Sequence, residues 1–450
     1  MNTTRYQFNY TNFFALTSVV IFFGIITRSI AKTPAALMEY LMIFLLLFFS
    51  IIYIAQSLRE QNDRAIIVYI FLIYLLLHSL VSIVTRPFFV DSTLYEVFFF
   101  TLSEFRVSTL GYFLPLLFLP LVVSEAEKIK RVLLILIKIS IAYTLLEQII
   151  SLLGFRSLFE TFYYSSGIVH EYYIGRKSFG LYRIWGFAGA PQLLGVFHIY
   201  TLIIMYIYKD KLWSILSVMA IIASTSKTAY LILILLAILY LIYNKHYLTI
   251  LFAFVLFFLT VFQVNEFYNY LEHEEIQDYQ AFRSFVQSIK GYFILTNNNI
   301  VTDSIEIVRN GKTEIRDFQF FVKDGPLIET YNYFLNNPIA MVFGKGITYS
   351  FMHREFLPSA FIPYSAQGSD FYFLTFIEQY GLIGFISMMF LFLIYPLYAL
   401  FIRGNYHSFV LITFFLATLH YPPNVPKMMM LLVAYSIYKL YFINGKAQNA

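Results

Sequence analysis

Four cations, Arg156, Arg176, Lys177 and Arg183, fall in one short stretch of the chain, with His170 and Glu171 between them. Arginine presents a planar fork that donates two parallel bonds to neighbouring phosphate oxygens, so a cluster of this kind fits an anionic partner, either a pyrophosphate or anionic lipid headgroups. Lys227, between Ser226 and Thr228, is a further cation able to join it. The chain has no cysteine, which excludes thiol nucleophiles, disulfides and cysteine-held metals. Neither a Gly-x-Ser-x-Gly elbow nor a Walker phosphate loop occurs. Glu272-His273-Glu274-Glu275 lacks the i, i+4 pair of histidines, and one helix cannot turn four consecutive side chains inward. It reads as a solvated face rather than a metal site.

Apolar sequence must position these groups. Of 450 residues, 59% are hydrophobic, 20% aromatic and 13% charged, whereas soluble domains carry about 25% charged residues. This composition predicts an integral membrane protein. A helix rises about 1.5 Å per residue through about 30 Å of hydrocarbon, so runs of about 17 to 25 apolar residues span a bilayer. Such runs lie at 11–27, 35–55, 65–85, 106–123, 132–153, 184–208, 212–224, 226–243, 247–264, 380–402, 407–421 and 427–443, the seventh being short. The expected fold is all-α and polytopic, with about twelve transmembrane helices. Arg59, Arg64, Lys128, Lys130, Arg131, Lys209, Lys211, Lys245, Arg403 and Lys446 fall in loops on one side, which the positive-inside tendency makes cytoplasmic, together with both termini.

That orientation leaves two longer segments outside, and divides the chain in three. Residues 1–264 hold nine transmembrane helices and an outer loop at 154–183; residues 265–368 form a large extracytoplasmic loop domain; residues 369–450 hold a lead-in helix and three more transmembrane helices. Within the loop domain short helices are expected, and Asn310-Gly311 between two β-like runs predicts a hairpin, because Asn-Gly accepts the positive φ of a tight turn. Residues 327–336 read as a helix stopped by Asn337-Pro338 and then by Gly344-Lys345-Gly346. Ionisable groups inside a span are costly and call for a reason. Glu39, Glu104, Arg106 and Glu147 share the outer level, which points either to an outward-opening polar cavity or to Glu104 and Arg106 at the interface and Glu39 among headgroups, with Glu147 about 9 Å inside the end of its helix. Lys138 lies near the inner end of the same helix and is expected to snorkel to the interface.

Several segments resemble one family. Arg183-Ile-Trp185-Gly186-Phe187-Ala-Gly189-Ala-Pro191 resembles the Arg-x-x-Gly-Phe-x-x-x-Pro signature of bacterial O-antigen polymerases and ligases. Ser224-Thr225-Ser226-Lys227-Thr-Ala229 is similar to the Ser-Arg-Ala turn of that superfamily, with Lys in the usual Arg position. Asn337-Pro338 followed by Phe343-Gly344-Lys345-Gly346 resembles its Pro and Phe-Gly-x-Gly elements, and the stretch Ser369-Asp370 through Glu378, Gly381 and Gly384 resembles its lead-in helix. The ligase branch usually has a His at the start of that helix, whereas this chain has Ser369 and Asp370, which favours polymerase over ligase.

The resemblance implies a polysaccharide polymerase that joins undecaprenyl-pyrophosphate-linked oligosaccharide repeat units at the outer face of the bacterial cytoplasmic membrane, by glycosyl transfer. The product would be O-antigen, capsule or exopolysaccharide. The acceptor hydroxyl needs a base, for which the candidates are Asp370, then Glu147 or His353. Arg183 first, then Arg176, Lys227 and Arg156, would hold the pyrophosphate. Fixed cations can do the work of a divalent ion, so neither metal nor cofactor is expected. Arg309, Arg316, Asp317, His353 and Arg354 are candidates to line a glycan cleft, and Tyr163, Tyr164, Tyr172, Tyr173 and Tyr364 to contact saccharide rings. Partners would be the lipid-linked donor and acceptor, membrane lipids, a chain-length regulator and a flippase, with no nucleic acid. The rival readings are a ligase that delivers finished glycan to a lipid or protein, and a transporter or flippase of polysaccharide intermediates.

Overall fold

A computed structural model of the chain describes residues 32–60, 63–85, 110–165, 177–178, 181–253, 255, 305–309, 312–316, 335–336, 338–344, 372–419 and 427–443. The described residues are mostly helical. In chain order the helices are α1 (Lys32–Arg59), α2 (Asp63–Thr85), α3 (Leu110–Ile150), α4 (Arg156–Ser165), α5 (Pro191–Ile207), α6 (Lys211–Ser224), α7 (Lys227–Tyr243), α8 (Pro338–Phe343), α9 (Tyr372–Met389), α10 (Tyr395–Arg403), α11 (Ser408–Thr418) and α12 (Lys427–Ile437). Strands among the described residues form two antiparallel pairs, β1 (Lys177–Ser178) with β2 (Leu181–Tyr182), and β3 (Ile305–Arg309) with β4 (Lys312–Arg316). In the second pair Arg309 faces Lys312 across Asn310-Gly311, the hairpin register expected from that dipeptide.

Helix α5 lies at the centre. Every residue from Leu193 to Thr201 is buried, the state of a helix that is apolar all round. It packs on α6, α7, α11, α12 and α3. Pro191 starts it at a position where a missing N–H is harmless. Its close contact with α7 depends on Gly195, where a Cβ would come within 2.5 Å of Ser226 Cβ and 2.7 Å of Ala229 Cβ. Asp210 caps α6 by accepting from the Trp213 N–H, and Ser226 caps α7 by accepting from the Ala229 N–H.

Two helices, at 114–163 and 379–403, are long and apolar enough to cross a membrane. Several others at expected spans are shorter; α6, with 14 residues, covers only about 21 Å. Two such helices rather than about twelve therefore meet that requirement among the described residues, and the run at 11–27 lies outside them. Many large apolar side chains face outward, among them Phe44, Leu77, Ile135, Leu153 and Leu248.

Residues 124–131, expected as a loop, are helical apart from Glu125, whose backbone leaves helical geometry (φ −138°, ψ 42°). The two halves of α3 meet different neighbours. Before the break, the Leu116 and Leu117 carbonyls accept from Tyr69 and Ser50; after it, Thr144 bonds His198 of α5 at 2.8 Å. Lys138, expected to snorkel to the interface, pairs with Asp210 at 2.8 Å. A second break, at Gly381 (φ 69°, ψ −176°), divides α9. A Cβ there would collide with the Val342 carbonyl and the Gly344 N–H, and one at Gly344 would collide with the Gln379 carbonyl. Two glycines thus let the end of α8 and the break in α9 meet backbone to backbone. His78 of α2 bonds the Phe343 carbonyl, and the Tyr74 hydroxyl donates to the Tyr380 carbonyl at 2.6 Å, so α2 closes the junction.

Candidate functional site

Arg183 stands in a non-helical segment between β2 and the start of α5, followed by a single 3-10 turn at Gly186–Ala188. Such a segment has no backbone ladder of its own, so its polar groups need other partners. Side chains from α3 and α4 supply them. With its amide oriented to satisfy both bonds, Gln148 donates to the Tyr182 carbonyl at 3.1 Å and accepts from the Tyr182 N–H at 3.0 Å. Arg156 Nη2 donates to the Arg183 carbonyl at 3.0 Å. The Glu147 carboxylate accepts from the Trp185 N–H at 2.9 Å through Oε1 and from the Gly186 N–H at 2.8 Å through Oε2. Tyr163 donates to the Gly186 carbonyl at 2.9 Å, with Glu147 Oε2 at 3.3 Å, and its hydroxyl meets that of Tyr143 at 2.7 Å.

A π-type turn at Ser151–Phe155 brings these donors and acceptors together. Gly154 takes a left-handed conformation there (φ 96°), which a residue with a Cβ resists, and the chain proceeds into α4 with Arg156 and Tyr163 beside Glu147. Arg156 is buried, with Nε donating to Glu160 at 2.7 Å and the guanidinium carbon 4.7 Å from the Tyr182 ring centre and 4.5 Å from that of Trp185. Stacking of a guanidinium on aromatic faces adds attraction to the hydrogen bonds.

On the far side of Arg183 is the turn between α6 and α7. Thr225 there is left-handed (φ 52°, ψ 31°) and buried, an uncommon state for a β-branched residue that costs about 1–3 kcal/mol. The turn is pinned to the start of α5, since Ser226 Oγ donates to the Gln192 carbonyl at 3.1 Å. Two helix N-termini, those of α5 and α7, are thereby neighbours. Lys227 is the first residue of α7, half-buried and within electrostatic reach of Arg183. A cation at the positive end of a helix is unfavourable by about 0.3–1 kcal/mol, and a second cation beside it adds repulsion. Helix N-termini and paired cations all favour one kind of guest, an oxyanion.

Four of the seven candidate residues therefore meet. Lys227 is within electrostatic reach of Arg183, and Arg156 and Glu147 hold the segment that carries Arg183. Their roles differ from expectation in two cases. Arg156, expected to hold pyrophosphate, is buried and engaged with Glu160 and the Arg183 carbonyl, so it supports Arg183 rather than facing a ligand. Glu147, a candidate base, has no exposed surface and both oxygens accept from backbone N–H groups, which makes it a brace. Tyr163, considered for saccharide contact, is likewise buried within this network. Arg176, Asp370, His353, Arg354, Asp317, Tyr172, Tyr173 and Tyr364 lie outside the described residues, as do Glu104 and Arg106. Gln148 and the Thr144–His198 pair carried no signal in the sequence, since neutral polar residues in apolar runs are common.

No family model, curated protein or solved structure matches the chain.

Proposed function

We propose that the protein is a multi-pass membrane glycosyltransferase, a polysaccharide polymerase that joins undecaprenyl-pyrophosphate-linked oligosaccharide repeat units at the outer face of the bacterial cytoplasmic membrane. The observation that carries this reading is Lys227 at the N-terminus of α7, within electrostatic reach of Arg183 and with its turn bonded to the N-terminus of α5 through Ser226 and Gln192, a corner suited to a phosphate oxyanion. The polymerase-like stretch from Arg183 to Pro191 and the turn at Ser224 to Ala229 are the two segments that build it. The outward-facing apolar side chains support the membrane setting, because soluble monomers rarely carry large contiguous apolar patches. About twelve spans with both termini cytoplasmic is the topology that goes with it.

In the reaction, an acceptor sugar hydroxyl attacks the anomeric carbon of the donor glycan. The carbon–oxygen bond to pyrophosphate breaks, its electron pair departs on the pyrophosphate, and the hydroxyl proton passes to a base. Cations fixed beside the leaving oxygen lower the cost of its developing charge, commonly the largest catalytic contribution. Arg183 and Lys227 take this role, joined by Arg176. Asp370 is the proposed base, with His353 behind it. Lipid-linked donor and acceptor are the partners, with a flippase supplying them and a chain-length regulator acting on the product.

The test is deletion of the gene in the producing bacterium, followed by sizing of the surface glycan. A ladder that collapses to a single attached repeat supports the polymerase. Complete loss of attached glycan favours a ligase, and repeat units trapped at the cytoplasmic face favour a transporter.

A further inference from the structure

The backbone on both sides of Arg183 is held by side chains distant in sequence: Tyr182 by Gln148, the Arg183 carbonyl by Arg156, the N–H groups of Trp185 and Gly186 by Glu147, and the Gly186 carbonyl by Tyr163. An irregular segment in a buried setting needs some partners, but water or a local turn would serve the same need. This one is instead tied to a fully buried carboxylate, and charged groups buried so deeply are retained at a cost in desolvation. We propose that Glu147, Gln148, Arg156 and Tyr163 form a cradle of positioning residues that fixes the direction of Arg183 toward Lys227, so that the two cations grip one diphosphate together. The proposal deepens the polymerase reading and rests on it for the identity of the ligand.

The cradle keeps the backbone that carries Arg183 in place near the turn that carries Lys227. A free loop would swing Arg183 away from Lys227, whereas a backbone held on both sides of residue 183 cannot. It also gives Glu147 work as an acceptor for the 182–186 segment, without contact with substrate. Arg156 acts in the same manner, through the Arg183 carbonyl, while Glu160 and the Tyr182 and Trp185 rings hold its guanidinium.

The absence of cysteine from the chain makes the test direct. In full-length protein purified in detergent, Arg183→Cys supplies a single thiol, and its rate of reaction with a water-soluble maleimide reports how firmly residue 183 is held. Adding Glu147→Gln sets an amide N–H against a backbone N–H, and the rate is expected to rise about tenfold. Thr144→Val, one turn away on the same helix, breaks the bond to His198 without touching the segment and should leave the rate unchanged. If Glu147→Gln does not accumulate, Tyr163→Phe, which removes the hydroxyl that donates to the Gly186 carbonyl, is read in its stead. In the background with Arg183 intact, Glu147→Gln and Tyr163→Phe should weaken binding of inorganic pyrophosphate about tenfold, and Thr144→Val should not.

Labelling rates that neither Glu147→Gln nor Tyr163→Phe changes, or that Thr144→Val changes equally, would overturn the cradle. Since the labelling needs no ligand, it decides the cradle separately from the function. Faster labelling combined with no Arg183-dependent pyrophosphate binding would sink the diphosphate reading and leave the cradle standing.

Discussion

The crossing of α5 and α7 at Gly195 is where a single methyl group should do the most informative damage. In Gly195→Ala the new Cβ would stand 2.5 Å from Ser226 Cβ, 2.6 Å from Ser224 Oγ and 2.7 Å from Ala229 Cβ, whereas ordinary contact begins at 3.4 Å. Ser224 Oγ can rotate about its Cα–Cβ bond, but the two Cβ atoms are fixed by the backbone and cannot. The turn from Ser224 to Ala229 must therefore retreat by about 1 Å, and overpacking of this extent costs about 1–3 kcal/mol. Lys227 moves with the turn, away from Arg183 and from the start of α5. A misplacement of about 1 Å at a site that acts by positioning can cost up to about 100-fold in rate. Thermal melting of the detergent-purified protein reads the first effect, and inorganic pyrophosphate affinity reads the second. Ala229→Gly supplies an internal check. It costs about 1 kcal/mol by itself in a helix, yet combined with Gly195→Ala it removes one of the three colliding atoms, so the double variant should be more stable than the sum of the singles implies. Wild-type melting and affinity in Gly195→Ala would refute the close crossing, and with it the joining of the two helix ends.

Three other outcomes are expected. Thr225→Gly relieves the left-handed strain in the same turn and should raise the melting temperature, provided the backbone there keeps its φ of 52°. Gly381→Ala should lower the yield of folded protein and free the Pro338–Gly344 stretch from α9 for cleavage by added protease, because its backbone (φ 69°, ψ −176°) suits glycine alone and its Cβ would strike the Val342 carbonyl. Asp210, in the loop between α5 and α6, has its carboxyl held below the usual carboxylate range, chiefly by the hydrogen bond from Lys138. A depressed folded value means that the pair stabilises the protein above the unfolded Asp value of about 3.9 and ceases to do so as pH falls through the lower folded value. The effect is small because both side chains are about a third exposed. Melting curves of wild type and Asp210→Asn should differ slightly at neutral pH and converge below pH about 4.

Much of this arrangement was legible in the sequence, and the rest was hidden for definable reasons. Apolar runs located α1, α2, α6 and α7 within a few residues, because burial and hydropathy act on residue type alone, whereas the run at 184–208 began seven residues before α5 does. Arg183 and Lys227 stood out as cations in apolar surroundings, and Glu147 as an acid inside a span. The role of Glu147 was not legible, since its partners lie 38 and 39 residues away and are backbone N–H groups, which every residue possesses. The same holds for Arg156, whose charge suggested a ligand while its target is a carbonyl. The helical breaks were concealed for another reason. Glu125 looks like part of a charged loop, and Gly381 looks like one small residue among apolar ones; only the approach of Val342 and Gly344 reveals why a glycine is needed there.

The central claim is that Arg183 holds the leaving pyrophosphate during glycosyl transfer, and chain extension by purified protein from lipid-linked repeat units tests it most directly. A bidentate contact comprises two charge-assisted hydrogen bonds of about 1.5–3 kcal/mol each, so Arg183→Ala should lose at least about 100-fold in extension rate. Arg183→Lys should retain a fraction, since charge survives without the fork. Arg183→Ala protein that melts like the wild type and builds the same glycan ladder at the same rate would contradict the account.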